Sequence, residues 1–208
     1  MENRHVIWHN GCVCRKDRER KNNHKSLVLW FTGLSASGKS TIAHLVEKEL
    51  FERGVRAYVL NGDNIRHGLN SDLGFSREDR MENLRRVAEV SKLMVDAGII
   101  VLAAFISPYL EDRAYVRSRF PDGEFLEIYV KCPMGICEQR DPKGQYKKAR
   151  AGLIKNYTGI SSPYEEPQKP ELVIDTEKMD IGGSVHLVMG LLEGRCLKKI
   201  LSDEGSKQ

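Results

Sequence analysis

The segment Gly33-Leu34-Ser35-Ala36-Ser37-Gly38-Lys39-Ser40 constrains the fold of this chain more than any other. It lies between a short apolar run, Leu27 to Phe31, and a stretch with apolar residues at Ile42, Leu45, Val46 and Leu50, which is helical spacing. Glycines let the backbone wrap tightly, so that successive N–H groups point into one concavity. A helix starting near Lys39 adds its positive end. A lysine at this position reaches the β- and γ-phosphates of a nucleotide, and the following serine hydroxyl can ligate Mg²⁺. The spacing G-x-x-x-x-G-K-[ST] occurs by chance elsewhere, and a strand before it with a helix after it is the context that gives it meaning. Gly33, Leu34, Ser35, Ala36, Ser37, Gly38, Lys39, Ser40 and Thr41 are therefore the expected ATP contacts. Lys39 is the catalytic cation among them and Ser40 the metal ligand.

The rest of the chain repeats the alternation. Val55–Leu60, Ile99–Ile106, Phe125–Val130 and Leu172–Ile174 read as strands. Gly54 stops the helix that begins near Lys39. Leu84, Val87, Ala88, Met94 and Val95 mark a long helix ended by Gly98, and Ile181–Leu192 a closing helix. Strands that are apolar throughout need a sheet covered on both faces. The expected fold is α/β, a doubly wound, mostly parallel five-stranded sheet. Ligands of such folds bind beyond the carboxyl ends of the strands.

Composition agrees with one globular domain. The chain has 208 residues, 40% hydrophobic and 30% charged, and a domain of this size buries about 70% of its unfolded surface. The expected domain is 26–201. An extension, 1–25, is expected to pack on it, with Arg15–Lys25 a solvated helix or linker, and a polar tail, 202–208, is expected to be disordered. The net charge of +4, from 33 basic and 29 acidic residues, comes without a dense basic block, so no nucleic-acid partner is expected. No apolar run reaches the roughly 18 residues of a membrane span. The first 25 residues lack the apolar segment of a signal peptide. Five cysteines, an odd number without zinc-ligand spacing, read as reduced thiols. A cytoplasmic protein without a membrane partner is the expectation.

After the second strand comes Asn61-Gly62-Asp63-Asn64-Ile65-Arg66. Asp63 can take a proton from an attacking hydroxyl or hold the waters of Mg²⁺. It can equally cap a short helix, and spacing does not separate the two. Arg66 suits an anionic substrate group.

Several blocks resemble the adenylylsulfate kinases. They are Trp30 to Thr41, Gly62 to Asn70, Asp72 to Ser76, Phe105 to Tyr109, Gln139 to Gly144, Tyr146 to Arg150, Thr158 to Ile160 and Pro163 to Glu165, in order along most of the chain. The resemblance implies a kinase of the phosphate-loop type with a helical lid. It implies transfer of the ATP γ-phosphoryl group to the 3′-hydroxyl of adenosine 5′-phosphosulfate (APS), with ATP and Mg²⁺ as cofactors. It also implies a homodimer and a separate ATP sulfurylase that makes the substrate. Asp63 would orient or deprotonate the 3′-hydroxyl. Arg66, Arg80 and Asn83 would bind the phosphosulfate and sugar, and Phe75 would stack on the adenine. Guanidinium groups and an aromatic face suit these tasks. The alternatives are a core aromatic for Phe75 and a solvated charge for Arg80.

Ile106 ends the third strand and Ser107 follows it, and both are expected to contact substrate. The family is often described with a phosphoserine intermediate at Ser107. A serine nucleophile needs an adjacent base and none stands nearby in the sequence, so Ser107 is kept as an active-site residue with direct transfer preferred. Arg140, Lys143, Lys147, Lys148, Arg150 and Lys155 form either a solvated helix face or a closing lid, with Gly144 and Gly152 as hinges. The resemblance favours the lid, with Arg140 at the nucleotide and Lys143 at the substrate. The loop Thr158–Pro170 supplies a further wall. One residue departs from the family pattern. Asn61 stands where an aspartate is common, which implies weaker or altered Mg²⁺ handling. The alternative function is another small-molecule kinase acting on a nucleoside or sugar. A nucleotide switch without phosphotransfer is disfavoured, since no Asn-Lys-x-Asp guanine signature is present.

Overall fold

The computed structural model describes residues 5–7, 9 and 11–197, so the expected tail lies outside the described residues. Thirteen elements follow in chain order: α1 (Arg15–Asn22), β1 (Val28–Thr32), α2 (Lys39–Glu52), β2 (Ala57–Asn61), α3 (Gly62–His67), α4 (Arg77–Asp96), β3 (Ile100–Ala104), α5 (Leu110–Arg117), β4 (Phe125–Lys131), α6 (Met134–Arg140), α7 (Gln145–Arg150), β5 (Leu172–Asp175) and α8 (Ile181–Arg195). The strands form one sheet in the order β2-β3-β1-β4-β5. Every ladder is parallel.

β1 is buried along its whole length, and its alternating side chains divide the core. Leu29 and Phe31 meet α2 and α8 through Ile42, Val46, Leu50, Val188 and Leu192. Val28 and Trp30 meet the opposite layer through Leu84, Val87 and Val116. Trp30 stacks on Phe105 at 5.4 Å between ring centroids. Each such side chain contributes about 1.5–3 kcal/mol on burial, so both faces are needed and the strands carry no polar alternation.

α1 is fastened differently, since it buries no residue. Arg15 Nη1 donates to Glu124 at 2.6 Å and Nη2 to the Ser26 carbonyl at 2.6 Å. Asn22 Nδ2 donates to the Gly98 carbonyl at 2.9 Å. Such bonds contribute about 1 kcal/mol each, far less than the core side chains. Among the described residues no helix is long and apolar enough to cross a membrane.

The structure corrects some boundaries. β2 starts at Ala57, because Gly54 adopts a left-handed turn that Val55 and Arg56 complete before the ladder begins. β3 ends at Ala104, and Phe105 and Ile106 already lead into the loop beyond the sheet. α5 has no counterpart in the sequence reading. Its buried face is Asp112, Arg113 and Val116, so two of its three inward residues are charged and no apolar period announces it.

Those charges are paired. Arg77, at the start of α4, donates through Nη1 to both carboxylate oxygens of Asp112, at 2.6 and 2.5 Å. The Asp112 side chain is fully buried, whereas Arg77 is 38% exposed. The two truncations should therefore differ. Arg77→Ala strands a buried carboxylate and is expected to cost about 3–5 kcal/mol. Asp112→Ala leaves a guanidinium that water can reach and is expected to cost about 1–3 kcal/mol. Denaturant unfolding of both variants checks the order, and an equal or reversed order contradicts this account.

Candidate active site

The parallel sheet brings the carboxyl ends of β1, β2, β3 and β4 to one edge, and the expected residues gather there. At the end of β1 the chain turns so sharply that Gly33 takes φ +150°. A Cβ there would lie 2.4 Å from the Val130 carbonyl oxygen and 3.0 Å from Ser37 Oγ, so only glycine fits between β1 and β4. Lys39 folds back across the loop and donates from Nζ to the Leu34 carbonyl at 2.6 Å. It is buried without a carboxylate partner among the described residues. Burial lowers its pKa from 10.5 to about 8.

Ser40 stands in the first turn of α2. Its Oγ accepts a hydrogen bond from Asn61 Nδ2 at 2.8 Å, while Asn61 Oδ1 accepts from the Asp63 N–H at 2.9 Å. The backbone donor fixes the amide orientation. Asn61, not Asp63, is the N-cap of α3. The capping alternative for Asp63 is thereby overturned, and its carboxylate is free to receive Lys143 Nζ from the segment between α6 and α7.

A cavity of about 430 Å³ opens against the phosphate loop. Ala36, Gly38, Thr41, Arg140, Thr176 and Ser184 are among its walls. Arg140 is tied to Thr176 by two bonds, Nη2 to the carbonyl at 2.6 Å and Nη1 to Oγ1 at 3.1 Å. Thr176 Oγ1 in turn donates to the Ser37 carbonyl at 3.0 Å. The sequence reading missed Thr176, although it directly follows β5, where such residues are to be sought.

A second group surrounds Phe75, which is 60% exposed, so the core-aromatic alternative does not hold. Arg66 lies 4.3 Å from the ring centroid and Arg80 5.8 Å. Arg66 is steadied by the carbonyls of Leu73 and Gly74. Arg80 donates to the Phe75 carbonyl at 3.1 Å and to the Asn156 carbonyl at 2.9 Å. Its side chain is thus fixed to the loop that follows α7, which rules out a freely solvated charge. Neither guanidinium forms an ion pair among the described residues. Burial lowers both pKa values, and for Arg66 the like charge of Arg80 adds to it. Asn83 is buried one turn along α4 from Arg80.

Ser107 is also buried, with φ +40°. Its Oγ accepts from Trp30 Nε1 at 3.1 Å and donates to Thr32 Oγ1 at 3.0 Å. Thr32 donates onward to the Ile106 carbonyl at 2.8 Å. The hydroxyl proton of Ser107 therefore points to a threonine and not to a base. Arg113 holds the same corner, donating to the carbonyls of Ser107 at 2.6 Å and Glu165 at 2.7 Å, and pairing with Glu127 at 2.8 Å. Nothing in the sequence spacing marked Arg113. A larger cavity, about 640 Å³, lies between Leu34, Met134 and the loop 159–164. None of the residues grouped around Phe75 lines it, and its walls offer no cluster of unpaired cations.

The lowered pKa of Lys39 has a measurable consequence. A phosphate beside the ammonium raises its pKa again, so phosphate binding takes up a proton near pH 8. Nucleotide affinity is then expected to fall as pH rises above about 8, by up to about tenfold per unit. Calorimetry in two buffers of different ionisation enthalpy measures the proton uptake. No uptake at pH 8 and a constant Kd from pH 7 to 9 would contradict the assignment.

The chain is similar to known proteins along most of its length. The family profile of adenylylsulphate kinase matches residues 25–175. The adenylyl-sulfate kinase of Staphylococcus carnosus is 58% identical over 193 residues, which is 93% of this chain and 97% of that protein. That of Oceanobacillus iheyensis is 60% identical over 190 residues, 91% of this chain and 96% of the relative. Among solved structures, the Mycobacterium tuberculosis APS kinase in complex with AMPPNP and APS superposes with a TM-score of 0.78 at 50% identity. It covers 81% of this chain and 98% of that one. This chain belongs to the adenylylsulfate kinase family.

Proposed function

We propose that this protein transfers the γ-phosphoryl group of ATP to the 3′-hydroxyl of adenosine 5′-phosphosulfate, giving ADP and 3′-phosphoadenosine 5′-phosphosulfate. The observation that carries the reading is the pair of guanidiniums without carboxylate partners, Arg66 and Arg80, around the exposed ring of Phe75. Two uncompensated cations beside an aromatic face suit a nucleotide that bears a phosphosulfate. The relatives at 58% and 60% identity carry the same activity in their names.

The residues divide the work. The backbone of Gly33 to Ser40 and the Lys39 ammonium hold the β- and γ-phosphates of ATP. Thr41, Arg140 and Thr176 line the cavity that receives its nucleoside. Asp63 accepts the proton of the 3′-hydroxyl or aligns that hydroxyl with the γ-phosphorus. Phe75 stacks on the substrate adenine, and Arg66, Arg80 and Asn83 grip its anionic and sugar oxygens. Ser107 and Ile106 close the floor, with Ser107 a contact and the transfer direct. Lys143, now on Asp63, moves to the transferring group or the substrate anion when the lid closes and excludes water.

The Mg²⁺ of this reading is held by Ser40. Its hydroxyl keeps a lone pair beyond the one given to Asn61, and among the described residues no three His, Cys, Asp or Glu side chains form a metal cluster. That fits an ion held mainly by phosphates and water. An ion held there would supply positive charge beside the transferring phosphoryl group. Asn61 supplies an amide where a carboxylate would add a negative charge, so weaker Mg²⁺ affinity belongs to the reading. So do a homodimer, a cytoplasmic setting that suits five free thiols, and a separate sulfurylase as the source of substrate.

Release of ADP from Mg-ATP, with adenosine 5′-phosphosulfate, adenosine, AMP and sugars as parallel acceptors, tests the proposal. Strong stimulation by adenosine 5′-phosphosulfate alone is expected, and Lys39→Ala should abolish it. Stimulation by a sugar or nucleoside in its place would overturn the acceptor assignment and leave the phosphate-loop assignment standing.

A further inference from the structure

The turn after α3 carries Asn70, whose side chain is completely buried. Its Nδ2 donates to Asn83 Oδ1 at 2.9 Å and to the Asn83 backbone carbonyl at 3.4 Å. Its own Oδ1 is buried without any hydrogen-bond partner. An orphaned buried acceptor is destabilising and calls for an explanation.

The explanation begins with the backbone. The Asn83 carbonyl can only accept, so Asn70 must turn its NH₂ group toward it. The reversed amide would set two carbonyl oxygens against each other. With Asn70 so oriented, the side-chain group that Asn83 offers it must also be an acceptor. Asn83 therefore gives its Oδ1 to Asn70 and directs its Nδ2 away. Among the described residues that Nδ2 donates to no protein acceptor, and it is not sealed from solvent. Asn83 lies three residues after Arg80 on α4, so the two share a helix face.

We infer that Asn70 is a positioning residue, which locks the amide of Asn83 so that an N–H donor, and not a carbonyl, faces the acceptor substrate. The inference rests on the reading of Asn83 as a substrate contact. The fixed donor matches an oxygen acceptor on the substrate and repels a donor in the same place. The orphaned Oδ1 of Asn70 follows from this one-way arrangement.

The substitution Asn70→Asp replaces the donor by a carboxylate and draws the Asn83 NH₂ inward, which reverses the polarity shown to the substrate. Asn70→Ala removes the lock without adding charge and serves if the aspartate variant does not fold. Titration calorimetry with adenosine 5′-phosphosulfate and with ATP, alongside thermal unfolding, is the experiment, with Asn83→Ala and the double variants as a cycle. The expected result is a loss of about 10- to 100-fold in affinity for adenosine 5′-phosphosulfate in Asn70→Asp. ATP affinity should stay within about twofold, since a side chain outside the ATP site leaves those contacts intact. Steady-state kinetics should show KM rising more than kcat falls, and no further loss should appear once Asn83 is already alanine. If Asn83→Ala weakens the substrate and neither Asn70 variant does, the positioning role is overturned while the proposed function stands. If the Asn70 variants lose ATP and substrate affinity together and unfold earlier, the residue supports only the fold and the inference is likewise overturned. If wild-type protein does not bind adenosine 5′-phosphosulfate, the proposed function fails, and this inference with it.

Discussion

Five strands running in one direction are the constraint from which the site follows. Parallel pairing sends the chain out of β1, β2, β3 and β4 at the same edge, and the return path must cross a sheet face each time. The central strand is buried on both faces, so its exit is rigid. The lack of room for a Cβ at Gly33, beside the Val130 carbonyl, is a direct result of β1 and β4 being neighbours. The phosphate loop takes its shape from that contact, and Lys39 takes its burial from the loop.

Charge without a partner is the second organising feature. Arg77 is matched by the buried Asp112, and Arg113 by Glu127. Around Phe75 they are not. Arg66 and Arg80 make their hydrogen bonds to backbone carbonyls and a threonine hydroxyl, which fix position without neutralising charge. Lys39 is in the same condition at the phosphate loop. A protein folds against such charges only at a cost. Their concentration at the carboxyl edge is what an anionic nucleotide at each of two positions would relieve. Arg113 shows how the frame is made stiff enough to hold them. One buried guanidinium joins the turn at Ser107, the carbonyl of Glu165 and strand β4.

The strands and the phosphate loop were legible because each depends on a local pattern. An unbroken apolar run has few uses other than a covered parallel strand, and glycine spacing encodes backbone shape directly. What stayed hidden depends on pairing across the fold. α5 turns Asp112 and Arg113 inward, and charged residues read as surface until their partners are known. From spacing, Asp63 was as much a helix cap as a catalytic carboxylate. In the fold, Asn61 takes the Asp63 N–H and releases the carboxylate. Phe75 carries a similar ambiguity, since an aromatic can stack on a base or fill a core, and this one stands exposed. Thr176 and Asn70 act through hydrogen bonds to residues 139 and 13 positions away along the chain, and no spacing rule reports such bonds.

The central claim is that unpaired guanidiniums select the acceptor. Binding of adenosine 5′-phosphosulfate and of adenosine, measured by calorimetry in the presence of ADP, tests it most directly. With two charge-assisted contacts at stake, adenosine should bind about 100-fold more weakly. Most of that gap should vanish in a variant carrying both Arg66→Ala and Arg80→Ala. Equal affinity for the two ligands, or a gap that survives the loss of both arginines, would contradict the account.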